Sequence, residues 1–138
     1  MKNTKILLYG GKSTAFIVYE MLKDENKKVN FIFDQFLKKP SFKHNALFSF
    51  DKKDLLNFVK KSNFFFVCIG MLDGKLRDHI SKILLQKKLN SFSIKSKHSI
   101  IDKSVKHGHG FLAMPNSVVH KNTKIGNNCY LNVNSIVD

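Results

Sequence analysis

Ala113-Met-Pro-Asn-Ser-Val118 is followed by Val119-His-Lys-Asn-Thr-Lys124, Ile125-Gly-Asn-Asn-Cys-Tyr130, Leu131-Asn-Val-Asn-Ser-Ile136 and the start of a further copy, Val137-Asp138. Read in sixes, the first position is Ala113, Val119, Ile125, Leu131 and Val137. The fifth is Ser117, Thr123, Cys129 and Ser135, always small. Hexads in register with two restricted positions are the mark of a parallel β-helix. The bulky first residue points inward, and the small fifth residue leaves room for it. Ile101 and Val105 fit an earlier copy, while Lys106–Gly110 reads as a loop inserted at a corner.

Upstream of residue 97 the pattern is different. Lys5-Ile-Leu-Leu-Tyr9 is a short apolar run that ends in Gly10-Gly11, as a buried parallel strand does when it enters a tight turn. Ser13 or Thr14 can cap the helix that follows, and Ala15, Val18, Tyr19 and Leu22 fall on one helical face. Val29-Asn-Phe-Ile-Phe33 is a second strand ending at Asp34, and Ala46–Phe50 holds a short third one. Asp51 and Asp54 suit a capping box for a helix that buries Leu55, Leu56 and Val59. Phe64–Ile69 is the clearest buried strand and ends at Gly70. A helix over residues 74–88 carries Leu76, Ile80, Ile83 and Leu84 on one stripe, and Ser91–Ile94 alternates like an edge strand. Strands joined by helices need crossover connections, so they form a parallel sheet with helices on its faces. The fold class is an α/β Rossmann-like parallel sheet over residues 1–96, followed by the first coils of a left-handed parallel β-helix over 97–138.

The chain has 138 residues, 43% of them apolar, and 13 Phe, which suits a packed core rather than disorder. Its longest apolar run, Phe64–Ile69, is six residues, against about 20 for a membrane span. Met1–Lys5 is basic, but the apolar run behind it is too short for a signal peptide. Cys68 and Cys129 cannot build a disulfide framework, and a reduced, cytoplasmic setting fits. The net charge is +14, from 23 Lys and the single Arg77. Base and phosphate readers draw on Arg for its planar fork. The lysines are also spread along the chain, so a solvated surface is expected and a nucleic-acid partner is not. Abundant Lys, Asn, Phe and Ile fit an AT-rich genome.

Several residues bear on chemistry. Gly10-Gly11-Lys12-Ser13 imitates the tail of a phosphate-binding loop, but Ile6 stands where the motif needs its first Gly. Backbone N–H groups at a helix start can still hold an anion, and a plain turn explains the glycines equally well. Asp34 ends its strand where dinucleotide folds place an acid on a ribose hydroxyl, and a turn acid is the alternative. Gly70 lies at the carboxyl edge where open sheets bind ligands, and a tight turn is the alternative. Arg77 reads as a surface ion pair. His107, His109 and His120 lack the further ligands zinc needs, so no metal is expected. Both cysteines read as packed thiols.

A Rossmann-like half that runs straight into hexapeptide repeats resembles the sugar O- and N-acyltransferases of the sialic acid and bacillosamine pathways, the NeuD and PglD type. Ile6–Gly11 is similar to that family's first strand and Gly-rich turn, although Gly10-Gly-Lys-Ser-Thr-Ala15 keeps only its first glycines. Ile32-Phe-Asp34 resembles its second strand, and Cys68-Ile-Gly70 with Arg77 its Ile-Gly…Arg segment. Lys97–Val105 is similar to the segment that leads into its helix, and Leu131–Asp138 to the one that precedes its His-Asp motif. The resemblance implies an acetyl-CoA-dependent acetyltransferase acting on a nucleotide-linked or amino sugar, assembled as a homotrimer. Gly10, Gly11, Asp34 and Gly70 would then contact the sugar nucleotide, and Asn132 matches a family Asn just before the active site. It also implies that the catalytic His would follow Asp138. The chain is therefore expected to be a truncated part that assigns no catalytic residue and transfers no acetyl group alone. A non-enzymatic nucleotide-sugar-binding module, or a decayed gene product, is the alternative.

Overall fold

The computed structural model describes residues 4–70 and 72–138. Met1–Asn3, the start of the basic opening segment, lie outside the described residues. The chain divides into a first unit that ends at Ser91 and a second, Phe92–Asp138.

The first unit contains strands β1 (Ile6–Tyr9), β2 (Val29–Phe33), β3 (Leu47–Ser49), β4 (Phe64–Val67) and β5 (Asn90–Ser91), with helices α1 (Ser13–Asp24), α2 (Lys52–Lys61) and α3 (Gly74–Gln86) between them. The strands form one parallel sheet in the order β3-β2-β1-β4-β5. From β1 the chain steps one way through α1, and from β3 and β4 the other way through α2 and α3. Right-handed crossovers then put α1 on one face and α2 and α3 on the other. Alternation serves both layers. Leu7, Phe31, Phe33, Phe65 and Val67 pack with Phe58 of α2 and with Ile80 and Leu84 of α3. Their neighbours Leu8, Ile32 and Phe66 are equally buried on the opposite face. Each such side chain contributes about 1.5–3 kcal/mol by leaving water.

Local readings hold in outline and shift in detail. Asp51 caps α2 through the Lys53 N–H at 2.8 Å. Asp54 does not close a reciprocal box: it accepts from Ser49 Oγ at 2.6 Å, and that oxygen in turn accepts the Asp51 N–H at 3.1 Å. The buried residue of α2 is Phe58, while Leu56 is exposed. Ser91–Ile94 is not one edge strand. Asn90–Ser91 extends the sheet beside β4, and Ile94 pairs with Leu112 in the second unit.

The second unit is built from two-residue strands: β6 (Ile94–Lys95), β7 (Ile100–Ile101), β8 (Lys106–His107), β9 (Leu112–Ala113), β10 (Val118–Val119), β11 (Lys124–Ile125), β12 (Tyr130–Leu131) and β13 (Ile136–Val137). They form three parallel ladders, β6-β9-β12, β7-β10-β13 and β8-β11. Ile94 pairs with Leu112 and Leu112 with Tyr130, a step of 18 residues or three hexads per coil. Lys106–Gly110 is not an inserted loop, because Lys106 and His107 pair in register with Lys124 and Ile125. His107 takes a first hexad position, and its ring lies 5.0 Å from that of Phe111. Phe111, at a fifth position, is fully buried beside the small Ala113 at the next first position, so bulk and smallness exchange places there.

The corners explain the repeat. Gly110, Asn116, Asn122, Asn128 and Asn134 stand six residues apart, each with φ between 55° and 67°. Gly and Asn are the residues that tolerate this left-handed conformation. At the fifth position Ser117, Thr123 and Ser135 donate to the carbonyls of Met114, His120 and Asn132 at 2.7–2.8 Å. Smallness is half of what that position requires, and a hydroxyl that satisfies a carbonyl of its own turn is the other half.

Candidate functional site

The strand order reverses direction at β1 and β4, and loops leaving their carboxyl ends part toward opposite faces. Open sheets bind ligands at such a point. A cleft of about 550 Å³ lies there, bordered by Gly10, Lys12, Ser13, Asp34 and Gly70.

Gly10 is required by contact. Its φ is 114°, and a Cβ would sit 2.6 Å from the Cys68 carbonyl oxygen. Its N–H donates to Phe33 O at 2.7 Å, while the Cys68 N–H donates to Tyr9 O at 2.6 Å. Three strand ends are laced together at this residue. Gly11 lies behind the cleft wall and donates its N–H to Asp34 Oδ2 at 2.9 Å. Asp34 Oδ1 accepts the Phe36 N–H at 2.9 Å, so one buried carboxylate ties the turn after β1 to the loop after β2. Each oxygen keeps acceptor capacity for a ligand hydroxyl. Burial first, and the nearby Asp34 charge second, push the Tyr9 phenol above its usual range. Burial likewise pushes the Cys68 thiol up, which suits a packed thiol rather than a nucleophile.

Gly70 differs from Gly10, because a Cβ there would meet nothing within 4 Å. Its carbonyl accepts from Arg77 Nη1 at 2.5 Å. Arg77 is buried, not on the surface as the sequence suggested, and reaches back along its helix to clamp the backbone just past the end of β4.

Helix α1 starts at the cleft. Lys12 occupies its N-cap, no side chain caps it, and its first turn holds no acid. Neither Ser13 nor Thr14 caps it. The first N–H groups of a helix lack internal partners and carry about half a positive charge. Lys12 adds its positive charge beside them. Helix α3 also lacks a side-chain cap, but there the N-cap residue is the acid Asp73. The opposite wall is apolar. Leu76 and Ile83 are 44% and 42% exposed, and Phe36 is 80% exposed. The sequence stripe on α3 is wider than the sheet can cover, and its surplus lines the cleft. That surplus was visible as Leu76 and Ile83 flanking Ile80. Phe36 and His79, which also border the cleft, carry no local signal.

Asn132 belongs to the second unit. It is exposed, and its Oδ1 accepts the Val133 N–H at 2.9 Å. Among the described residues no His, Cys, Asp or Glu side chains group as metal ligands, and no helix is long and apolar enough to cross a membrane.

No protein-family model and no curated protein matches the sequence. Solved structures do match. PerB from Caulobacter crescentus, in complex with CoA and GDP-perosamine, superposes with a TM-score of 0.83 at 21% identity over 97% of this chain and 62% of its own. The acetyltransferase domain of PglB from Neisseria gonorrhoeae, in complex with acetyl coenzyme A, gives 0.81 at 16% identity over 99% and 65%. WeeI from Acinetobacter baumannii gives 0.75 at 20% identity over 96% and 63%. The chain has their fold. It is a Rossmann-like sheet followed by a left-handed parallel β-helix, and it spans less than two thirds of the length of each of these proteins.

Proposed function

We propose that this chain is the nucleotide-sugar-binding part of an acetyl-CoA-dependent sugar acetyltransferase of glycan biosynthesis, working in the cytoplasm. The observation that carries the reading is the uncapped start of α1, with Lys12, opening into the cleft at the sheet's switch point. The diphosphate of a sugar nucleotide suits that helix start. Asp34 has lone pairs left for a ribose hydroxyl, and Phe36, Leu76 and Ile83 offer an apolar wall for a base. The fold shared with PerB, which binds CoA and GDP-perosamine, supports the same ligand class.

Acetyl-CoA would be the second substrate, bound against the hexapeptide coils, with Asn132 nearest the reacting groups. The reading assigns no catalytic base among these 138 residues. A homotrimer is part of it: Ile100 and Ile136 are 68% and 74% exposed on the ladder β7-β10-β13, an outward apolar column that suits a second copy. Free Cys68 and Cys129 agree with a reducing compartment.

Titration calorimetry with GDP- and UDP-linked amino sugars tests the proposal. The wild-type chain should bind at least one of them. Gly70→Val, whose side chain has open space, should keep the circular dichroism spectrum and lose binding at least tenfold. The pure chain should not turn over acetyl-CoA. A folded protein that gives no heat with any sugar nucleotide would falsify the reading.

A further inference from the structure

The sequence spreads its lysines, but the first unit gathers five of them along one groove away from the cleft. Two hollows, of about 580 and 260 Å³, share Tyr19, Lys23 and Asn45 and so run into each other. Lys39 and Lys43 line one end, and Lys27 and Lys28 the other. Lys23 pairs with Glu20 at 3.8 Å and Lys27 with Glu25 at 2.7 Å, both exposed. Lys28, Lys39 and Lys43 have no carboxylate at ion-pair distance among the described residues. Exposed ammonium groups gathered along one groove repel one another, and a bound anion relieves that repulsion.

The groove also has a fixed floor. The Phe42 ring lies 5.5 Å from those of both Phe16 and Tyr19, and 5.7 Å from the His44 ring. The Asn45 N–H donates to the Tyr19 hydroxyl at 3.1 Å. That hydroxyl keeps its own proton, which has no acceptor among the described residues. One free O–H donor therefore sits at the middle of a line of cations.

We propose that this groove is a second binding site, taking a linear oligophosphate. The class follows from the geometry. A row of charges at both ends with a neutral donor between matches several phosphates in series. A concave groove fits a free chain better than the flat array of headgroups on a bilayer. The site is separate from the sugar-nucleotide cleft and does not depend on that assignment.

Sodium tripolyphosphate is the probe, titrated into the full 138-residue chain at several salt concentrations. Binding should weaken as salt rises. The triple variant Lys23→Glu/Lys39→Glu/Lys43→Glu should lose at least tenfold in affinity. The matched triple Lys53→Glu/Lys60→Glu/Lys61→Glu on α2, with the same change in net charge, should stay within twofold. Tyr19→Phe, a change that leaves ring packing intact, should weaken binding two- to fivefold. Equal losses in the two triples would mean diffuse charge only and would overturn the site. So would no effect of the groove triple, or binding confined to vesicles of phosphatidylglycerol.

Discussion

The two units solve the same problem, burying a parallel sheet, in opposite ways. In the first, strands of up to five residues carry large side chains: Phe33 and Phe65 pack on the face of α2 and α3, and Phe66 on the opposite one. In the second, two-residue strands carry little, and the corners do the specifying, with the same backbone conformation at every sixth residue. A unit of the first kind concentrates its stability in individual side chains. A unit of the second kind spreads it over copies of one small device.

The difference can be broken most severely at Phe65. Phe65→Ala should cost about 3–5 kcal/mol, because the residue is fully buried in the cluster it forms with Phe58, Ile80 and Leu84 and its removal leaves a cavity there. Helices α1, α2 and α3 all lie in the first unit, so the helical signal in a urea melt reads this loss directly. In the second unit the expected effects are smaller. Asn122→Val puts a β-branched side chain at φ 61° and should cost about 1–2 kcal/mol. Asn122→Gly, which keeps the left-handed conformation open, should cost less, under about 1 kcal/mol. If the two variants melt alike, the corners are not the carriers. Ser117→Ala removes one hydroxyl from the Met114 carbonyl and should cost about 1 kcal/mol.

The subtlest contrast is with pH. Tyr9 and Cys68 have raised values in the first unit, so their contribution is full below their ordinary ranges and fades as pH rises through the raised ones. Asp102 in the second unit is lowered, first by its bond from the Ser104 hydroxyl and next by the Ser104 N–H. Its contribution is present above the ordinary carboxylate range and is lost as pH falls through the lowered value. Hydrogen exchange followed unit by unit should find the first unit loosening in alkali and the second in acid. Asp102 is exposed, so its part should be slight.

The same contrast decides what was legible in the sequence. Hexads 113–138 could be read because each copy repeats the reason for the last. Ile101 and Val105 were read as an earlier copy, but the hexad that begins at His107 escaped because His107 is polar where an apolar residue was expected and Phe111 is large where a small one was expected. The bulk of Phe111 is taken up by the small Ala113 at the next first position, and periodicity does not record that. In the first unit the strands and helices were legible from alternation and caps, and the switch-point glycines from their place at strand ends. Arg77 was not, since it reaches a carbonyl just past the end of another element. Nor was the lysine groove, which joins the end of α1 to a loop many residues away. Local pattern reports faces, whereas long side chains that reach across elements leave no trace in it.

The corner asparagines connect this geometry to the protein's composition. A position that needs a left-handed turn accepts Asn or Gly, and this chain uses Asn at four such corners and Gly at one. Glycine codons are rich in G and asparagine codons in A. If the coding sequence is AT-rich, which its codon usage would show at once, the solenoid could drift toward that bias one corner at a time without changing its shape. A repeat whose key positions tolerate two residues of opposite nucleotide content is buffered against the mutational pressure of its genome. The packed sheet beside it in the chain, with its single-answer glycine at residue 10, has no such freedom.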